Sequence, residues 1–433
     1  MPVSPVARQN CAAMTGRRRI GRGGLSVVAG WMAASMAACG GTTTVTVTQT
    51  AGAVTTSATE TTAQTAVTSA RELLFAVVES HTGSHPQQGF VDDTVAIVGL
   101  DGYARSKAQF TPRTPPQIGN AAPIMPPEAR VVAGKVFYID GKGVVRSLGP
   151  DRGASPSTVT TFAPPSSQVY ESFAVSPDGQ HLVAAVDVLT PFQTPNPSDA
   201  NNPFGSGGDQ DHDVIEAADS GGAAHPLNTL DHPKNPLFVG GWDSVSAIGV
   251  TNPPLGTQDG YPPGWGSAVV RLDSRGHPGA AIGPSTCRAI EGLPDGTVLC
   301  VDSDSTGNAT DIASVHGAST GDWTVPTMKD FYVSAFTYGD SPHLSADGGT
   351  VVFSLVPAQG SPTPAMYAMS KGGSPKKIVD GFTPEGFLDA DTVIGASATS
   401  SGPGNLAIVH LSAGGLADLG FKGLFVGVVQ TAG

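Results

Sequence analysis

The chain has 433 residues, 39% hydrophobic and 14% charged, with a mean hydropathy near zero. Glycine (56) and proline (36) are far in excess, about a fifth of the chain against a usual ~12%, which excludes a helical bundle, while the ordinary hydropathy excludes a disordered chain. Asp and Glu number 36 against 23 Lys and Arg, and five of those arginines fall within the first 38 residues; the acidic remainder repels phosphates and excludes nucleic acid as a partner.

The chain opens on an address. Arg17-Arg18-Arg19 precedes the apolar run Gly24-Leu-Ser-Val-Val-Ala-Gly-Trp-Met-Ala-Ala-Ser-Met-Ala-Ala38. A basic start, a short apolar run and small residues at its end are the pattern of a secretory leader. Met14 is an alternative start, because 14–38 alone has the usual leader length. Met36-Ala37-Ala38-Cys39 resembles the lipobox of bacterial lipoproteins, with Met36 where leucine is usual. That resemblance implies cleavage before Cys39, acylation of its thiol and amine, and a cell-membrane location, lipid-anchored on the extracytoplasmic side. At ~0.8 kcal/mol per buried CH2, two or three acyl chains anchor firmly where one would not. An ordinary leader with an incidental cysteine is the alternative.

Three regions follow from this reading: a signal peptide over 1–38, a lipidated Cys39 with a stalk over 39–70, and a folded domain over 71–433. The stalk is a Thr/Ser/Ala/Val tract without aromatics or leucine from 42 to 70. It can bury little, so it is expected to stay extended.

From residue 73 onward one weak pattern recurs. The runs are Leu73-Leu-Phe-Ala-Val-Val, Val136-Phe-Tyr-Ile, Leu182-Val-Ala-Ala-Val, Val245-Ser-Ala-Ile, Val298-Leu-Cys-Val, Val351-Val-Phe-Ser-Leu and Val393-Ile-Gly-Ala. Each is too short for a helix and rich in β-branched residues, so each reads as a strand. Turns rich in Asp and Gly precede them, such as Pro177-Asp-Gly, Pro294-Asp-Gly and Ala346-Asp-Gly. These residues supply the side-chain-to-backbone bond and the positive φ that tight turns need. A second hairpin follows each run, giving four antiparallel strands per unit, the layout of a β-propeller blade.

Phe173-Ala-Val-Ser-Pro-Asp-Gly-Gln-His-Leu-Val-Ala resembles the WD40-like (PD40) repeat of TolB-type propellers. His343-Leu-Ser-Ala-Asp-Gly-Gly-Thr-Val-Val-Phe is a poorer copy, and Leu293-Pro-Asp-Gly-Thr-Val-Leu a partial third. The expected fold is all-β, a propeller of seven four-stranded blades. Six blades is the alternative, because TolB-type propellers usually have six. The first unit lacks an inner strand, and Gly423-Leu-Phe-Val-Gly-Val-Val429 is surplus to the last, so the C-terminal strand is expected to close the ring.

The strand order divides the connections between two rims. Turns joining first to second and third to fourth strands are tight. Those joining second to third are long: 80–93, 189–213, 251–266, 302–311, 357–364 and 399–404. Long loops are binding candidates, and Phe192, Phe204, Tyr261 and Trp265 on them suit a sugar ring or a protein surface. Capping of their own blades is the competing role. Asp209, Asp211 and Asp213, and Asp302, Asp304 and Asn308, resemble the alternating oxygen ligands of calcium loops. Both series lack the terminal Glu, so no cofactor is expected and Ca2+ is the alternative.

Cys287 and Cys300 remain in the body, and outside the cytoplasm they are expected to form a disulfide, with two buried thiols as the alternative. Gly317-Ala-Ser319-Thr-Gly321 matches G-x-S-x-G, but a nucleophile elbow needs a strand–turn–helix and this match falls in a β turn. The expectation is a monomeric, non-catalytic module on the cell envelope, binding an envelope protein or glycan. A propeller enzyme acting on carbohydrate or peptidoglycan is the alternative.

Overall fold

The computed structural model describes residues 72–80, 93–112, 128–164, 169–189, 210–231, 237–242, 246–251, 268–282, 288–292, 297–303, 309–316, 319–324, 331–333, 342–357, 364–399 and 402–429. All lie in the unit Thr68–Gly433; Cys39 and the stalk fall outside them. Among the described residues no helix is long and apolar enough to cross a membrane.

The described strands build seven antiparallel sheets in chain order, six of four strands and one of five. The first holds β1 (Leu74–Ser80), β2 (Asp93–Gly99) and β3 (Ala104–Phe110). The second is β4 (Ala129–Val132), β5 (Lys135–Ile139), β6 (Val144–Leu148) and β7 (Ser157–Thr161). The third is β8 (Val169–Val175), β9 (His181–Leu189), β10 (Gln210–Asp219) and β11 (His225–Asp231). The fourth is β12 (Leu237–Trp242), β13 (Ala247–Thr251), β14 (Ala268–Leu272) and β15 (Pro278–Ile282). The fifth is β16 (Arg288–Gly292), β17 (Val298–Ser303), β18 (Ala309–His316) and β19 (Ser319–Thr324). In the sixth, β20 (Phe331–Val333) and β21 (His343–Leu344) share the inner edge of β22 (Thr350–Pro357), followed by β23 (Ala365–Ser370) and β24 (Lys376–Asp380). The seventh is β25 (Phe382–Phe387), β26 (Thr392–Thr399), β27 (Gly402–His410) and β28 (Leu416–Asp418). A last strand, β29 (Leu424–Val429), returns to the first sheet and pairs with β1, Leu74 opposite Val429 and Val78 opposite Leu424.

The sheets are the blades of a propeller. Separate apolar clusters lie between the first and second, second and third, third and fourth, sixth and seventh, and seventh and first blades. Blades that meet neighbours on both faces need apolar residues on both faces. That is why β8 is buried along its whole length and β9 everywhere but its first residue, and why the sequence there runs apolar without alternation. Outer strands diverge and meet water, as in β24 and β28. Closure is as expected: the chain's far end supplies the first blade's inner strand and covers the exposed edge of β1. The sixth blade departs from four strands because two short strands, β20 and β21, pair with the same edge of β22.

The tight turns share one hydrogen-bond pattern. In the β8–β9 turn, Ser176 Oγ donates to Asp178 and accepts from His181 N at 2.8 Å; Asp178 accepts from Gln180 N at 2.9 Å; Gly179 takes φ +73°. The β21–β22 turn repeats every bond, with Ser345 donating to Asp347 at 2.6 Å and accepting from Thr350 N at 2.9 Å. Gly143, between β5 and β6, has φ +75°, and a Cβ there would lie 1.7 Å from the Phe162 carbonyl oxygen. Only glycine fits so close a backbone approach.

The two rims are unequal. The long connections 81–92, 111–128, 190–209 and 252–267 all leave the rim joining second to third strands and successive blades. On the other rim the longest turn is 149–156. Two expected loops are shorter than the sequence suggested. Thr399 pairs with Gly402, and β17 and β18 stay paired through Asp302 opposite Asp311 and Ser303 opposite Ala309. Asp302 is thus a strand residue and not a loop residue.

Candidate functional site

The longest connection, 190–209, rises from the third blade, and 252–267 from the fourth beside it. Each is closed at its base by a strand pair, Leu189 with Gln210 and Thr251 with Ala268. Beneath them lies a polar row. Tyr170, Asp187 and Asp213 stand opposite one another across β8, β9 and β10 and are 1%, 1% and 0% exposed. Directly opposed side chains share one face of a sheet, with Cβ atoms about 5 Å apart. The row faces the fourth blade. Asp213 Oδ2 accepts from Leu237 N at 3.0 Å, and the Tyr170 ring meets Phe238 edge-on at 6.3 Å. One step along, Ser172 Oγ accepts from Val239 N at 2.9 Å.

Burial, reinforced by the Asp187 charge, drives the Tyr170 phenol far above its ordinary pKa, so it remains neutral at any physiological pH. Glu171, one residue along β8, turns to the opposite face, and its Oε1 lies 3.2 Å from where a Cβ of Gly143 would sit. On the inner strands, Arg130 of β4 sits over the Phe173 ring at 5.7 Å and its Nη2 lies 3.7 Å from where a Cβ of Gly240 would sit. Three blades therefore meet through polar side chains next to the loop-bearing rim. Asp187 and Asp213 are both buried, and Asp213 ties the third blade to the fourth through Leu237 N.

Of the expected calcium ligands, Asp211, Asp213 and Asp302 are described; Asp211 and Asp213 belong to β10 and Asp302 to β17. The register shifts between Gln210 and His212, which leaves Asp211 outside the ladder with its carboxylate 3.0 Å from His212 Nδ1. Asp213 turns instead to Leu237 N. The bulge breaks the alternation on which the expectation rested. Among the described residues no three His, Cys, Asp or Glu gather as metal ligands. Asp209, Asp304 and Asn308 lie outside the described residues, as do Phe192, Phe204, Tyr261, Trp265 and Cys287. Cys300 lies on β17 opposite Ala289. Ser319 opens β19 (Ser319–Thr324), paired with His316 of β18, so the G-x-S-x-G match joins two antiparallel strands.

Sequence reading overlooked Tyr170, Asp187 and Ser172. A signal was present: Asp187 interrupts the run Leu182-Val-Ala-Ala-Val186, and Glu171-Ser172 sits inside an apolar strand. A polar residue inside such a run is buried with partners or it does not persist.

No family model matches the chain, and no curated protein matches it. Solved structures do. An oligogalacturonate lyase from Vibrio parahaemolyticus is 12% identical, covering 73% of this chain and 82% of its own, with a TM-score of 0.46. TolB from Acinetobacter baumannii is 12% identical over 81% of this chain and 80% of its own, TM-score 0.34. An oligogalacturonate lyase in complex with manganese is 10% identical over 75% and 70%, TM-score 0.31. The fold assignment rests on the sheet order and blade packing described above.

Proposed function

We propose that the protein is a cell-envelope lipoprotein, tethered through Cys39 and a Thr/Ser-rich stalk, whose propeller is a non-catalytic binding module for an envelope protein or glycan. The observation that carries this reading is the inequality of the rims. Every long connection leaves one rim, and the two from the third and fourth blades stand on bases held together by Asp213, Ser172 and Tyr170. Long loops on a rigid base suit recognition. Phe192, Phe204, Tyr261 and Trp265 are the aromatic residues those loops offer a partner. Asp213 at this rim is engaged in holding the third blade to the fourth, which supports a rigid base beneath the loops.

The test is capture from the protein's own envelope with the lipidated full chain, repeated with Phe204→Ala and Trp265→Ala. Loss of one wild-type partner in the variants is the expected result. An unchanged set of partners would refute loop-mediated binding.

A further inference from the structure

The rim opposite the long loops carries its own signal. Among the described residues the large apolar side chains left exposed are Leu100 (43%), Tyr103 (72%) and Leu416 (41%). Leu100 and Tyr103 sit in the β2–β3 turn of the first blade, and Leu416 opens β28 just after the corresponding turn of the seventh. All three are therefore on the tight-turn rim, on neighbouring blades. The β2–β3 turn meets the seventh blade just past β28, where a Cβ on Gly102 would lie 3.0 Å from the Leu419 carbonyl oxygen.

The same corner is where the preceding chain enters the ring. Leu74 pairs with Gly99 and with Val429, at the ends of those strands that face the tight turns. Arg105 fastens the entry to the turn. Its guanidinium donates to Glu72 and, at 2.9 Å, to Asp101, and also to the Tyr103 carbonyl at 2.8 Å. One guanidinium is thereby shared by two carboxylates, and the turn that carries Leu100 and Tyr103 is bonded to the entering chain.

We infer that this corner of the first and seventh blades rests on the lipid surface to which the stalk ties the ring, which turns the long loops away from that surface. The inference builds on the lipoprotein reading. A tether whose end lies beside the patch keeps the patch at high local concentration near lipid, so a contact too weak for a free protein suffices. Tyrosine suits the headgroup level, with an apolar ring and a wet hydroxyl. Partners of the loops are then reached in the space beyond the membrane.

Hydrogen exchange followed by mass spectrometry on the lipidated full chain, in phosphatidylcholine–phosphatidylglycerol vesicles and in detergent, tests this. In vesicles, amides of 100–103 and 411–416 should exchange more slowly, while those of 140–143 on the loop-bearing rim should not change. Leu100→Ser with Tyr103→Ser should lose that protection, with an unfolding midpoint like that of the parent. The mass of the Cys39 peptide reads acylation separately. Should Cys39 prove unacylated, the lipoprotein reading fails. The full chain held by an N-terminal histidine tag to nickel-chelating lipid then still reads the corner. Equal exchange at 100–103 with and without lipid, or protection at 140–143 instead, would overturn the inference.

Discussion

Ser172 and Asp213 illustrate how single polar atoms fix a blade interface. Each accepts a buried backbone N–H from β12, Val239 and Leu237 respectively. Ser172→Ala removes one acceptor inside the interface and should cost ~1–3 kcal/mol, because a buried donor without its partner keeps its full desolvation penalty. Chemical denaturation measures this directly; a loss under a few tenths of a kcal/mol would deny the bond its role. Gly143→Ala should cost about 1–3 kcal/mol or more from positive φ and close backbone approach. Gly221→Ala, at φ +81° with no atom near its Cβ position, isolates the conformational part. Asp178 and Asp347 titrate below the ordinary carboxylate value of 3.8, held down first by Ser176 and Ser345 and then by backbone N–H groups. A carboxyl that is more acidic folded than unfolded stabilises above the unfolded value and loses that contribution as pH falls through the folded one. Asp178→Asn with Asp347→Asn should therefore flatten the decline of stability below about pH 4; an unchanged acid limb would show that other carboxylates govern it.

At the scale of elements, β29 closes the ring by pairing with β1 across a register shift at Ala76 and Val77. Deleting 423–433 should strip the first blade of its inner strand and expose an apolar edge, lowering the unfolding midpoint sharply; a truncated chain of parental stability would contradict closure. This strand was legible because the first unit lacked an inner strand and the last had one too many. The apolar runs and Asp/Gly turns were legible because each is set by local chemistry. The boundaries at 302–311 and 399–404 were not, since polar residues there stay in the ladder through cross-strand pairing that composition does not reveal. For Asp211 and Asp213, alternation in sequence gives one face only where the register is unbroken, and a bulge intervenes at Asp211. The split inner strand of the sixth blade left no mark in the sequence, because two-residue β21 is defined by its pairing with Val351 and Val352 and not by a run of its own.

At the scale of the molecule, the described strands make a scaffold of seven blades with unequal rims: tight turns on one, long connections on the other. The polar row of Tyr170, Asp187 and Asp213 sits where the third and fourth blades must keep their loops in register. The most direct measurement replaces 190–209 and 252–267 together with Asn-Gly turns and follows both stability and capture of the envelope partner. The account predicts a folded ring with cooperative unfolding and complete loss of capture, while Lys371→Ala on the opposite rim leaves capture intact. Undiminished capture by the folded, loop-shortened ring would contradict it.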